Sequence, residues 1–314
     1  MPADSIPILP VIVVGLGVQG LKRRRIAGVD FVAAVDPDNP DADYRHIQDV
    51  PVDSYAAALI CTPDAPKVSL LTFLVDHGKH ALVEKPLLFE SEAALQRLED
   101  AAHAAGVLIY TAYNHRFEPH FIRMRDLITS GELGEIYSCR LFYGNGTARQ
   151  VRDSIWRDQG AGVIPDLGSH LLDTCNFWFG SAAEPFELQS ASRFENRSPD
   201  HAVLVTRGNS PRIELEMTLC MWRNHFTCDV LAERGSAHIE SLCKWGPATF
   251  TVRSRVLPSG KPHEESITLV QDDPTWRDEY AHFKELISDN ARTDFSKDLW
   301  IQRVLKPLVN EVGA

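Results

Sequence analysis

Short apolar runs alternate with stretches of helical periodicity through the first third of the chain. Ile8–Val14, Phe31–Val35, Ala56–Cys61, Ala81–Glu84 and Val107–Ala112 place apolar residues consecutively, the pattern of strands buried on both faces of a parallel sheet. Between them, Ala65–His77 reads as a helix closed by Gly78. Glu92–Ala105 reads as an amphipathic helix with Ser91 as N-cap and Gly106 at its end. Pro37–Pro51 is rich in Asp and Pro and lacks periodicity, which predicts a loop or a broken helix. From Glu135 the pattern changes. Segments 135–143, 186–194, 201–207, 212–221, 226–232, 235–240 and 248–254 read as successive strands, some joined by turn residues such as Gly208-Asn209-Ser210 and Glu233-Arg234-Gly235. They predict a mostly antiparallel sheet, followed by helices near 275–288 and 296–311.

The first apolar run leads into Gly15-Leu16-Gly17-Val18-Gln19-Gly20, a G-x-G-x-x-G turn between strand and helix. In such a turn the first glycine permits the tight bend, the second lets backbone approach a pyrophosphate, and the third allows close helix–strand packing. The second run ends at Asp36, 21 residues after Gly15, where a carboxylate can accept from ribose hydroxyls and repel the extra phosphate of NADP. Strand, glycines, helix, strand and acid in this order predict a Rossmann dinucleotide-binding domain that takes NAD in preference to NADP.

Composition narrows the class. At 314 residues, 44% hydrophobic and 24% charged, the chain has room for two domains and a sizeable core. A net charge of -11 argues against nucleic-acid binding. The basic run Lys22–Arg25 reads as a solvated helix face. The six cysteines form no C-x-x-C pair and no metal-ligand spacing, so reduced thiols and no metal site are expected. No leader-like segment opens the sequence and no apolar run is long enough to cross a bilayer, which predicts a cytoplasmic protein without a membrane partner.

Two segments carry candidate chemistry. Val83-Glu84-Lys85-Pro86-Leu87 sets a lysine at the carboxyl end of a parallel strand, where open α/β sheets bind ligands. Lys85 there can reach both a nicotinamide and a substrate hydroxyl, and the structural alternative is an ion pair with Glu84. Gly160–Asp173 enters a helix, with Pro165 suited to the first turn and Asp166, His170 and Asp173 spaced i, i+4, i+7 on one face. A carboxylate orienting an imidazole is a proton-transfer unit. The alternative is an acid favouring the helix dipole beside a structural histidine.

Gly15-x-Gly17-x-x-Gly20, Thr62-Pro63, Glu84-Lys85-Pro86-Leu87, Tyr113-Asn114-His115-Arg116-Phe117 and Gly160-x-Gly162-x3-Asp166-x-Gly168-x-His170-x-x-Asp173 occur in one order. In this the chain resembles the glucose–fructose oxidoreductase / inositol dehydrogenase / rhizopine-catabolism (Gfo/Idh/MocA) family over essentially its whole length. The resemblance implies a Rossmann NAD-binding domain over 1–113, with the C-terminal helix 295–314 packing back on it. It implies a substrate-binding and oligomerisation domain over 114–294, α/β with an open, mostly antiparallel sheet. The implied reaction is hydride transfer between nicotinamide and a carbinol or ketone carbon of a sugar, polyol or nucleotide-linked sugar. Lys85 is then the catalytic lysine, Asp166 and His170 are the acid–base pair, and a cis Lys85-Pro86 bond is expected. Cofactor contacts fall on Gly15, Gly17, Val18, Gln19, Gly20, Asp36, Cys61, Thr62, Pro63, Glu84, Lys85 and Asn114. Substrate contacts fall on Lys85, Arg116, Trp156, Arg157, Asp166 and His170.

Some of these positions have plainer readings. Arg116 also suits an interdomain salt bridge, and Trp156-Arg157 also suits a packed Trp beside a surface Arg. The sequence departs from the family pattern at Lys67, where a His is common, at His115, where an Arg is common, and in a shortened 36–62 stretch. An open sheet face implies a homodimer or homotetramer. A non-catalytic NAD-binding regulator of the same fold is the alternative function, against which the joint presence of Lys85, Asp166 and His170 argues.

Overall fold

The computed structural model describes residues 7–154, 157–181, 185–208 and 211–313. The elements begin with β1 (Val11–Val14), α1 (Val18–Ala27), β2 (Phe31–Val35), β3 (Ala57–Ile60), α2 (Lys67–Asp76), β4 (His80–Glu84), α3 (Glu92–Ala105) and β5 (Ile109–Ala112). They continue with α4 (Pro119–Ser130), β6 (Ile136–Gly144), α5 (Ala148–Arg152), α6 (Ser169–Phe179), β7 (Phe186–Ser192), β8 (His201–Thr206) and β9 (Arg212–Thr218). The last are β10 (His225–Ala232), β11 (Gly235–Glu240), β12 (Ala248–Ser254), β13 (His263–Leu269), α7 (Thr275–Ser288) and α8 (Ser296–Gly313). The chain forms two compact units: Met1–Asn114 with Thr275–Gln302, and His115–Pro274 with Arg303–Ala314.

The first unit is a five-stranded parallel sheet in the order β2-β1-β3-β4-β5. Its strands are mostly apolar because both faces are covered. On one face Leu71, Leu74 and Val75 of α2 and Leu95, Leu98 and Ala102 of α3 pack on Ile12, Val14, Ile60 and Val83. On the other, Tyr280 and Phe283 of α7 pack on Val11, Val13, Leu59 and Leu82. That packing is why 275–288 groups with this unit. Phe295 joins the first cluster, and Gln302 Oε1 accepts from the Phe89 N–H at 2.6 Å. β1 starts at Val11 rather than Ile8, since Pro10 has no N–H to continue the ladder. The stretch after Asp36 crosses the sheet through short 3-10 turns at Ile47–Asp49 and Val52–Ser54, whose neighbours Ile47, Val50 and Tyr55 reach the core. The reading of Lys22–Arg25 as a solvated face fails at Arg23, whose exposure is 1%.

The second unit is an eight-stranded mixed sheet, β13-β12-β11-β10-β6-β9-β8-β7, antiparallel except for the β6–β9 pair. Alternation sends Cys139, Leu141 and Tyr143 of β6 and Phe226, Cys228 and Val230 of β10 inward. Phe121 of α4 and Trp178 of α6 meet there, with centroids 5.2 Å apart, and Phe121 lies 4.9 Å from Phe226. The opposite face carries the ion pairs of Arg140 with Glu214 and Glu216 and a 2.6 Å hydrogen bond between His238 Nδ1 and Asp229 Oδ1. Among the elements not anticipated are α4 and β13. α4 has the signals of a helix, Pro119 in its first turn and Gly131 left-handed at its end (φ 72°). β13 is an edge strand exposed along nearly its whole length, so no apolar alternation marks it.

Candidate functional site

In the first unit the glycine turn is shaped by close backbone approach. Gly15 lies at φ 93°, and a Cβ there would sit 2.8 Å from the Cys61 carbonyl oxygen. A Cβ on Gly20 would overlap the Gly15 carbonyl oxygen. Gly17 differs: a Cβ there meets nothing within 4 Å. It is the N-cap of α1, which has no side-chain cap and no acid in its first turn. That leaves an open helix N-terminus suited to an anion. The buried Thr62 Oγ1, just beyond β3, has no hydrogen-bond partner among the described residues. An orphaned hydroxyl beside the turn and an open N-terminus fit a dinucleotide.

Asp36 does more local work than its spacing suggested. Its carboxylate accepts from the N–H of Leu16 at 2.7 Å, Asn39 at 2.9 Å and Asp38 at 3.0 Å. Burial pushes this carboxyl up, but the three backbone donors and the charge of Arg45 outweigh it and hold it below the usual range. Asp36 therefore ties the glycine turn to the end of β2.

Lys85 follows β4, and the Lys85–Pro86 peptide is cis. Its neighbours are held by charge. Arg23 bonds Glu84 at 2.7 Å and Glu279 at 2.6 Å, so the ion-pair partner of Glu84 is an arginine from α1. Burial, aided by Glu84 and opposed by Arg23, pushes Glu279 up to about 7. Lys67 donates to Asp64 Oδ1 at 2.7 Å and to the Pro86 carbonyl at 2.8 Å, clamping the segment that follows Lys85. Burial lowers the Lys67 ammonium, Asp64 opposing and the like charge of Lys85 adding. Asn114 is buried, its Nδ2 donating to Thr275 Oγ1 at 2.7 Å.

In the second unit Ile164–Gly168 forms a π turn that runs into α6, with His170 in the first turn of that helix. Each carboxylate of the i, i+4, i+7 set has an arginine partner. Asp173 is buried and accepts from Arg116 Nε at 3.0 Å, while Arg116 Nη2 also reaches Asn176 at 3.1 Å. Arg116 is thus a clamp on α6 within its own unit. Asp166 pairs with Arg157 at 3.6 Å. His170 stacks on His115, centroids 4.3 Å apart and planes 23° apart, with the Tyr143 ring 6.1 Å away. Lys244 donates to His115 Nε2 at 3.2 Å and to the Tyr143 hydroxyl at 3.4 Å. Trp156 lies outside the described residues.

Residues 121–238 match the family model of the GFO/IDH/MocA C-terminal domain. The match lies within the second unit, which thus resembles the C-terminal domain of these oxidoreductases. It is 28% identical to the scyllo-inositol 2-dehydrogenase (NADP(+)) IolW of Bacillus subtilis (strain 168), over 46% of this chain and 40% of that one. To the uncharacterized oxidoreductase YrbE of the same organism it is 24% identical, over 80% of this chain and 73% of that one. The chain thus spans less than half of IolW and nearly three quarters of YrbE. A levoglucosan dehydrogenase solved with NADH has the same fold, with a TM-score of 0.80 over 97% of this chain and 96% of that chain at 16% identity.

Sequence reasoning missed Arg23, Lys67, Tyr143 and Lys244. Lys67 and His115 stood out only as departures from the family pattern. Lys244 had no signal, because its partner His115 is 129 residues away.

Proposed function

We propose that this chain is an NAD(P)-dependent oxidoreductase of the Gfo/Idh/MocA family acting on a carbinol or ketone carbon of a sugar, polyol or nucleotide-linked sugar. The observation that carries the reading is Lys85 at the carboxyl end of β4 in a parallel sheet whose glycine turn presents an open helix N-terminus. Gly17 and the first turn of α1 would hold the pyrophosphate and Asp36 the ribose, while the bound nicotinamide supplies hydride chemistry. Asp36 favours NAD, because its carboxylate repels a 2′-phosphate. In alcohol oxidation the His170 imidazole takes the hydroxyl proton. Its Nδ1 is buried, so Nε2 is the nitrogen that meets substrate. Lys85 Nζ donates to the same oxygen and stabilises its developing negative charge. Asp166 assists His170, and Arg157 beside it lines the substrate side.

The test is nicotinamide reduction by the wild type and Lys85→Met, with NAD and NADP, across sugars, inositols and nucleotide sugars. The variant should lose turnover by roughly 10²–10³-fold and keep cofactor binding. Unchanged turnover in Lys85→Met would remove the proposed chemistry. Tight cofactor binding with no wild-type turnover would favour the regulator. Asp36→Ala should shift the NAD/NADP affinity ratio toward NADP.

A further inference from the structure

Four separate segments of the second unit converge on one polar cluster. His115 comes from the turn Asn114–Phe117, Tyr143 from β6, His170 from α6 and Lys244 from the turn Cys243–Trp245 after β11. The lysine is fixed from behind. Glu118 Oε1 accepts from the Cys243 N–H at 2.7 Å, and the ammonium lies over the rings of Trp245 at 4.5 Å and Tyr143 at 5.5 Å. An ammonium only donates, so His115 Nε2 must be the acceptor of the 3.2 Å bond. The His115 ring is then neutral, with its proton on Nδ1. That neutral ring stacks on His170.

We propose that Lys244, acting through His115, is a positioning residue that holds His170 in its neutral, proton-accepting form. The inference rests on the role given to His170 above. Protonating His170 would place a cation against His115 with the ammonium immediately beyond, and like charges gathered in a half-buried cluster oppose one another. Protonating His115 as well would break its bond to Lys244. The cluster therefore disfavours both imidazolium forms while Lys244 is charged.

The other ionisable groups around the cluster fall into two sets. Asp166, paired with Arg157, and Asp173, paired with Arg116, lie on the His170 segment and its helix, each with its own cation. Glu118 and Asp273 act on Lys244 from farther away and favour its charged form, while burial opposes it and brings the ammonium down to about 8. At neutral pH the lysine remains mostly protonated and the device is set.

The experiment is a histidine NMR titration of the full chain without substrate, in wild type, Lys244→Met, Lys244→Gln and Lys244→Arg. His170 is assigned from the signal lost in His170→Asn. In Lys244→Met and Lys244→Gln the His170 midpoint should rise by roughly half a pH unit or more, and Lys244→Arg should restore it. The glutamine variant keeps a donor without the charge, so it separates electrostatics from hydrogen bonding. A midpoint common to all four proteins overturns the proposal, as does a rise in Lys244→Met that is absent from Lys244→Gln. The NMR readout needs no turnover, so it decides the coupling even if the substrate panel shows no reaction. Where turnover is found, the acid limb of kcat/KM should move with the midpoint.

Discussion

Each unit sets a lysine close to a residue proposed for chemistry, and the two lysines are treated differently. Lys67, in the parallel unit, has a side-chain exposure of 3% and touches a carboxylate directly, Asp64 at 2.7 Å. Lys244, in the mixed-sheet unit, is met by an imidazole, a phenol and two aromatic faces. Burial lowers both ammonium groups. A carboxylate in contact keeps Lys67 a fixed clamp on the Pro86 carbonyl. Burial without such a contact brings Lys244 down to about 8. A buried cation in an ion pair is scaffolding, while the same cation among neutral rings becomes a charge that pH can remove.

That contrast can be broken by substitution, the ion-paired unit giving the largest effects. Arg23→Met leaves Glu84 and Glu279 without their shared cation, and urea denaturation should show a loss of about 3–5 kcal/mol. Lys67→Met leaves the Pro86 carbonyl without its donor, and the loss should be about 1–3 kcal/mol. Because Lys85 precedes that carbonyl, turnover should fall with it. A smaller loss for Arg23→Met than for Lys67→Met would put the weight of the unit on the wrong ion pair.

The pH dependence of stability sharpens the comparison with smaller, opposite slopes. Glu279 is raised from 4.5 to about 7 in the folded chain. Between those values the native state holds more protons, so its contribution is complete below 4.5 and is lost as pH rises through 7. Lys244 is lowered from 10.5 to about 8. Between those values the native state holds fewer protons, so stability increases as pH rises from 8 toward 10.5. Denaturation at a series of pH values should show the first slope vanish in Glu279→Gln and the second in Lys244→Met. If Lys244→Met kept the alkaline slope, the titrating group would be another residue.

Where function is concerned, the order of motifs was more legible than the partners of individual side chains. The glycine turn, the lysine after β4, the helix bearing His170 and the split between parallel and antiparallel strands all followed from local pattern. The parallel strands are mostly apolar because two helix layers cover them, and the second sheet alternates because one face carries ion pairs. β13 escaped notice because an exposed edge strand has no apolar signature. Arg23 was misread because a run of four basic residues hides which one turns inward. Asp166 and Asp173 share a helical spacing with His170, yet Arg157 and Arg116 draw their carboxylates to separate ion pairs.

By itself the sequence determined the elements and the places where chemistry can sit. Periodicity, caps and glycine spacing act over a few residues, and their consequences can be read along the chain. Only the tertiary structure decided which charges compensate which. Arg23 meets Glu279 across 256 positions and Lys244 meets His115 across 129. Electrostatic partnership and burial depend on distance in space, and no local pattern encodes a contact between segments that fold together from opposite ends of the chain.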